Sequence, residues 1–229
     1  LGKQVNDAKL EPLDRLGILS DAFESAKAGF TPTVDALGFL SNFSNEDNSA
    51  VWDVIASSLG AVRATMDDEG LRETMKPYII SLAKKQYDRL GWKPKKTESY
   101  FDTLLRPTTL GLMAGSDYSD AISESLKRFD NAKTIEDIEP DFRGIVFGSA
   151  VRQRNDSETF NKLYELYKSS HLSEEKTVIA AALTGFKNPK LYNKSLELIS
   201  TPSVRSQDIA YWVVYSFGNR FARTATWEW

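Results

Sequence analysis

Apolar residues recur along this chain at helical spacing, and the pattern itself recurs. With Ile145 set on Val178 and Tyr211, both offsets are 33 residues, and Val146, Ile179 and Trp212 fall together, as do Phe147, Ala180 and Val213. In the same register Gly185 falls on Gly218, Leu163 on Leu196 and Leu166 on Ile199. One interval earlier, Gly111 and Gly115 fall on Gly144 and Gly148. A block of about 33 residues that repeats is one supersecondary unit stacked on copies of itself. Each block reads as helix, short polar turn, helix. Residues 178–186 are apolar nearly all round, which predicts a helix buried between neighbours. The paired glycines would let one helix backbone approach the next. No apolar run approaches the roughly 20 residues of a membrane span, so this spacing is read as close packing in a soluble stack.

The upstream half carries the same signals less regularly. Residues 1–10 read as a leading segment. Pro12 suits a first helical turn, Leu16, Leu19, Phe23 and Ala26 continue at helical spacing, and Gly29 sits where a C-terminal cap belongs. Thr31-Pro32 reads as an N-cap with proline at the first helical position, opening a short helix through Leu40. Residues 41–48 are polar and turn-like. A third helix covers 51–66, and a fourth is capped by Asp67 or Asp68 and stopped by Gly91, with Pro77 expected to kink or split it. After a basic loop over 92–96, Thr97 is expected to cap a helix bent at Pro107. Ser119 opens the next helix, Thr134 starts a single turn, and Asp156 and Ser173 cap later helices. No alternating strand pattern occurs. The expected class is all-α: an α-solenoid of stacked antiparallel helical hairpins, HEAT- or armadillo-like. It would be a single helical-repeat domain over 1–229, with a possible division into 1–92 and 93–229.

Composition narrows the chemistry. The net charge is −3 over 229 residues, so no general basic field recruits nucleic acid. There is no cysteine, which removes disulfides, thiolate metal sites and thiol nucleophiles and fits a reducing compartment, with the cytoplasm as the expectation. A start at Leu1 and an end at Trp229 within a helical pattern suggest a piece of a longer protein.

His171 is the only histidine. An HExxH zinc site needs two histidines one turn apart, and a serine triad needs a nucleophile elbow that this chain lacks, so His171 reads as a loop residue. Two SxxK pairs, Ser81/Lys84 and Ser173/Lys176, lack the companion KTG and SDN motifs and read as coincidence. The sequons at Asn42, Asn155 and Asn193 matter only in a secreted parent. Lys84, Lys85, Arg89, Lys93, Lys95 and Lys96 surround Trp92 and read as a solvated helix end, where cations suit the dipole. Trp212, Trp227 and Trp229 read as packing residues. Arg143, Arg152 and Arg154 flank one repeat helix, and Arg205, Arg220 and Arg223 flank another. Arginine's planar fork suits carboxylates, so Arg143, Arg152, Arg205 and Arg220 are the candidate substrate-binding residues. No catalytic, cofactor-binding or metal-ligating residue is assigned.

Several stretches resemble one family. Asp14-Arg15-Leu16-Gly17-Ile18-Leu19-Ser20-Asp21-Ala22-Phe23 with Ala26-Lys27-Ala28-Gly29 is similar to the opening helix of the C-terminal domain of M1 zinc aminopeptidases. Asn45-Glu46-Asp47 before Val51-Trp52 resembles its second hairpin. Leu90-Gly91-Trp92, Glu98 and Leu104-Leu105-Arg106 resemble the loop and helix that follow. Asp141-Phe142-Arg143 with Val146-Phe147, and Gln207-Asp208 with Ala225-Thr226-Trp227, resemble later repeats. The resemblance implies a helical domain of the endoplasmic-reticulum-aminopeptidase type that walls an internal chamber and contacts the distal part of a peptide. It implies that zinc, the GxMEN and HExxH motifs and the catalytic tyrosine belong to an upstream catalytic domain, which with the peptide substrate would be this chain's partner. No nucleic acid or membrane partner is expected, and the chain alone should be inactive. The alternative is a free-standing solenoid adaptor. A DNA-binding helical-repeat protein would need a basic stripe that the net charge opposes.

Overall fold

The computed structural model describes residues 2–7 and 9–229; of the expected leading segment, Leu1 and Ala8 lie outside the described residues. Among the described residues there are thirteen α-helices, four short 3-10 turns and no strand, which is the all-α class expected. No helix is long and apolar enough to cross a membrane. The chain separates into two compact units, Leu1–Tyr118 and Ser119–Trp229.

The first unit contains α1 (Gly2–Asn6), α2 (Pro12–Lys27), α3 (Thr33–Leu40), α4 (Ser49–Thr65), α5 (Glu69–Leu90) and α6 (Tyr100–Gly115). Helix α2 packs on α3 and α4, and α6 packs on α4 and α5. Leu19, Leu40, Phe43, Val51, Trp52, Ile55 and Leu59 fill the core between them. Side-chain caps set several boundaries. Asn48 Oδ1 accepts the N–H groups of Ala50 and Val51, and Asp68 Oδ1 accepts that of Leu71. The cap of α6 is Ser99 rather than Thr97. Ser99 has Asp102 three residues on, and the two exchange side-chain-to-backbone bonds; Thr97 has Tyr100 there, which cannot return one. Helix α3 begins one residue later than expected, with Pro32 as N-cap, because the Thr31 hydroxyl turns to Ser25 Oγ at 3.2 Å. Pro77 and Pro107 lie inside helices that run on unbroken. The tyrosine next to Pro77 supplies an anchor: Tyr78 Oη donates to the Leu37 carbonyl at 2.6 Å, fastening α5 to α3.

One buried carboxylate joins four elements of this unit. Glu46, in the α3–α4 connection, accepts two bonds from the Arg15 guanidinium of α2, at 2.7 and 2.8 Å, and two more from the N–H groups of Asp47 and Asn48. The Glu46 carbonyl accepts from Trp52 Nε1 on α4 and Gln86 Nε2 on α5. Arg15 and Glu46 are each 5% exposed. A charge pair taken out of water is tolerable only with further hydrogen bonds, and here Glu46 also accepts two backbone N–H groups while Arg15 Nη1 donates to the Leu10 carbonyl.

The second unit holds α7 (Ser119–Asn131), α8 (Arg143–Arg154), α9 (Ser157–Ser169), α10 (Ser173–Leu183), α11 (Pro189–Ile199), α12 (Ile209–Gly218) and α13 (Arg223–Glu228). Helix α8 packs on α7 and α10, and α10 packs on α12. The 33-residue interval is visible as chemistry. Lys162 Nζ donates to the Phe129 carbonyl, the Asn188 N–H to Asn155 Oδ1, Lys194 Nζ to Asn161 Oδ1 and Asn219 Nδ2 to the Phe186 carbonyl, each across 33 residues. The coinciding core positions Val146, Ile179 and Trp212 are all 0% exposed.

Three expectations need correction in this unit. Helix α10 ends at Leu183 instead of continuing to Phe186, and Ala181 on it is exposed. Leu172, not Ser173, occupies its N-cap, since the Ser173 hydroxyl instead accepts from Arg205 Nη2. Trp227 and Trp229 are 82% and 53% exposed rather than packed, because the short α13 buries Thr226, one turn on from buried Ala222, and turns the indoles outward.

Candidate functional site

The four candidate arginines occupy two places in the second unit. Arg143 opens α8, where its Nε donates to the Ile138 carbonyl at 3.1 Å and Nη1 lies 3.5 Å from Glu175 Oε1. It is only 7% exposed, and Glu175 is 4% exposed. Arg205, just before α12, pairs with Asp208 at 2.6 Å and reaches Ser173 Oγ at 3.1 Å. That hydrogen-bonded carboxylate raises the Arg205 pKa above its ordinary value. Both guanidinium groups thus converge on the first turn of α10, which carries Ser173 and Glu175. The chain lays acid there by register, since Glu175 and Asp208 are 33 residues apart.

Arg152 and Arg220 lie at the opposite helix ends. Arg152, in the last turn of α8, donates to Ser149 Oγ at 3.5 Å and is half-buried. Arg220 follows α12 with its guanidinium 4.2 Å from the centre of the Phe221 ring, and it too is half-buried. Arg154 and Arg223 are held by Asp130 and the Phe217 carbonyl. The six arginines therefore form no single cluster. A guanidinium already matched to a buried carboxylate, as in Arg143, offers nothing to a ligand without exposing its partner.

Lys176 sits between these groups. Its Nζ donates to the Tyr167 carbonyl at 2.8 Å and lies 4.3 Å from the Tyr167 ring centre. Burial pushes its pKa below the ordinary lysine value, and the Arg205 charge adds to that. The other SxxK pair is equally engaged: Ser81 donates to the Tyr78 carbonyl, and Lys84 binds Asp88. Neither serine meets its lysine, so no nucleophile–base pair forms. His171 is exposed in the α9–α10 connection. The basic run around Trp92 is largely spent on its own helix end, with Arg89 on Asp102, Lys85 on Asn45 and Lys95 on the Arg89 carbonyl.

A cavity of about 170 Å³ between α2 and α3 is lined by Ala22, Ser25, Thr31, Asp35, Ala36 and Phe39. Its two hydroxyls bond to each other, leaving one carboxylate on an otherwise apolar wall. Among the described residues no group of three His, Cys, Asp or Glu side chains could hold a metal ion. The described residues therefore do not fit a zinc centre.

Three buried pairs escaped the sequence reading: Arg15–Glu46, Arg106–Glu98 and Arg143–Glu175. In each the partners come from different elements. Only the recurrence of acid at 175 and 208 was a readable signal.

A family model described as the ERAP1-like C-terminal domain matches residues 1–229. The chain is 27% identical over 216 residues to Aminopeptidase 2 of Candida albicans, covering 91% of this chain and 23% of that protein. It is 29% identical over 220 residues to Aminopeptidase A of Gloydius brevicauda, covering 94% of this chain and 23% of the relative. Against Aminopeptidase N of Lactococcus lactis the identity is 29% over 225 residues, 96% of this chain and 26% of that protein. The chain thus spans about a quarter of the length of the curated relatives it matches. By that match over its whole length, the chain belongs to the ERAP1-like C-terminal domain family.

Proposed function

We propose that these residues form the helical C-terminal domain of a zinc-dependent aminopeptidase of the M1 family, which removes N-terminal residues from peptides. Zinc and the bond chemistry belong to a catalytic domain elsewhere in the same polypeptide, working in a reducing compartment such as the cytoplasm. This domain walls the substrate chamber and touches the distal part of the peptide. The observation that carries the reading is the family match over the whole chain, set against the quarter of each relative that the chain spans. Helical hairpins stacked within the second unit support it physically: a surface that holds a peptide tail contributes positioning rather than proton transfer. Of the candidate arginines, Arg152 and Arg220 are the two to place at that surface, because both are half-buried at the C-terminal ends of α8 and α12, whereas Arg143 is buried against Glu175.

The test uses the intact polypeptide with Arg152→Ala and Arg220→Ala. Cleavage of a single-residue aminoacyl reporter should be unchanged, while KM for peptides of about eight residues or more should rise several-fold. Equal effects on short and long substrates, or none on either, would remove the peptide-contact role. An intact polypeptide with no aminopeptidase activity would remove the whole reading.

A further inference from the structure

The α5–α6 loop and the first turn of α6 leave positive charge unbalanced beside an uncovered apolar surface. Residues 84–106 carry seven cations and three carboxylates, and each carboxylate is already paired: Asp88 with Lys84, Glu98 with Arg106 and Asp102 with Arg89. Of the seven cations, four lysines remain. Lys85 is held by an Asn45 amide oxygen and Lys95 by the Arg89 carbonyl, and neither acceptor neutralises a charge. Lys93 and Lys96 are exposed and meet no carboxylate among the described residues. This surplus sits in a chain whose net charge is −3. The helix start beside it is fixed, because the Ser99–Asp102 capping box sets the first turn while Leu105, Arg106 and Leu110 turn into the core. That leaves Tyr100 72%, Phe101 62% and Leu104 46% exposed, with the two rings 6.0 Å apart. Apolar side chains scattered singly on a surface are ordinary, but a contiguous group rimmed by charge of one sign marks a contact surface.

We propose that this surface, Tyr100, Phe101 and Leu104 with Lys93, Lys95 and Lys96 around them, docks an acidic segment of another protein that carries an aromatic or aliphatic anchor. Charge complementarity sets the partner's sign, since every carboxylate of residues 84–106 is already matched and the surplus lysines are not. The apolar centre sets the anchor, because interface cores are enriched in aromatic side chains and depleted of charge, which is kept to the rim. The anchor lies over Phe101 and Leu104, and its acidic neighbours reach the loop. An interfacial membrane helix instead carries its apolar face along its length. Here that face stops after one turn, since Thr108 and Gly111 follow Leu104 on the same side of α6. The inference does not depend on the aminopeptidase reading, and Arg152 and Arg220, placed at the peptide surface in that reading, belong to the second unit.

The probe is a fluorescent, N-acetylated synthetic peptide in which glutamates alternate with phenylalanines, titrated with the intact polypeptide and read by anisotropy. Acetylation removes the free amine, so the peptide is no aminopeptidase substrate. The expected result is saturable binding that weakens as salt rises, and no saturable binding of the same peptide with lysine in place of glutamate. Phe101→Ala with Leu104→Ala should weaken binding about tenfold or more, as loss of an interface anchor does. Lys93→Gln with Lys96→Gln should weaken it and flatten the salt dependence. All four side chains are exposed, so circular dichroism of both double variants should match the parent. No saturable binding of the acidic peptide, equal binding of the lysine peptide, or an affinity unchanged in either double variant would overturn the proposal. So would co-sedimentation with phosphatidylserine vesicles that the same variants abolish, which would make the surface a membrane contact. Reporter hydrolysis is read on the same preparations, so an active enzyme without this binding removes the docking surface and leaves the function.

Discussion

Replacing Ile179 by aspartate tests the stacked-repeat architecture where it is most exacting. Ile179 is 0% exposed on α10, the helix that lies against both α8 and α12. Losing its buried side chain costs about 2–5 kcal/mol in transfer and cavity contributions. The carboxyl group that replaces it must be dehydrated. Burial raises an aspartate by about 3–5 pKa units, at about 1.4 kcal/mol each, so holding it neutral at pH 7 costs roughly 4 kcal/mol more. The sum, roughly 6–9 kcal/mol, rivals the entire stability of an ordinary domain, about 5–15 kcal/mol. Urea unfolding followed by circular dichroism at pH 7 should show the cooperative transition of the second unit abolished or shifted to very low denaturant. At pH 4, where the carboxyl is protonated in the folded state and about half protonated in the unfolded one, about half of the loss should return relative to the parent at that pH. Ile179→Val should cost only about 0.5–1.5 kcal/mol, and Ala181→Asp, on the exposed side of the same helix, less than about 1 kcal/mol. An Ile179→Asp protein with an unshifted transition, or one damaged no more than Ala181→Asp, would refute the placement of α10.

In the first unit, Arg15→Met should destabilise by about 3–5 kcal/mol in urea titration, because it strands the buried Glu46 carboxylate, whereas Arg15→Met with Glu46→Leu should recover most of that loss. Asn155 holds a left-handed cap at φ 48° and accepts the N–H groups of Lys187 and Asn188. Asn155→Gly keeps the backbone and loses both bonds, and should cost about 1–3 kcal/mol by the same assay. The Arg106 hydrogen bond holds Glu98 below the usual carboxylate range, the Arg154 bond does so for Asp130, and the Thr159 N–H does so for Asp156. Each binds fewer protons folded than unfolded in acid, so their contribution is complete above about pH 5 and lost as pH falls through the folded values. Thermal melting should therefore decline steadily from pH 5 downwards, and Arg154→Gln should flatten part of that decline; a melting temperature constant down to pH 3 would contradict the assignment.

The second unit was legible because its signal is periodic. Val146, Ile179 and Trp212 share one register and one degree of burial, so a single alignment located three helices. Boundaries were less legible because caps compete. Thr97 and Ser99 are both good candidates, and only the return bond from Asp102 decides between them. Of the buried ion pairs, Arg15–Glu46 and Arg106–Glu98 left no signal in the sequence. Arg15 and Glu46 are separated by 31 residues with no periodic relation, and their pairing depends on how α2 meets the α3–α4 connection. The arginines named from sequence were recognised as a type but not by role. A guanidinium buried against a carboxylate, as Arg143 is, and a half-buried one over an aromatic ring, as Arg220 is, look alike in sequence. Trp212 is 0% exposed while Trp227 and Trp229 are 82% and 53% exposed, a difference that residue type alone does not carry.

The central claim is that these residues are a scaffold whose polypeptide keeps its chemistry elsewhere. Metal content and aminoacyl-reporter hydrolysis, measured side by side on the 229-residue chain and on the intact polypeptide, test it most directly. The account predicts about one zinc and clear hydrolysis for the intact polypeptide, and neither for the chain alone. Stoichiometric zinc or reporter turnover in the 229-residue chain by itself would contradict it.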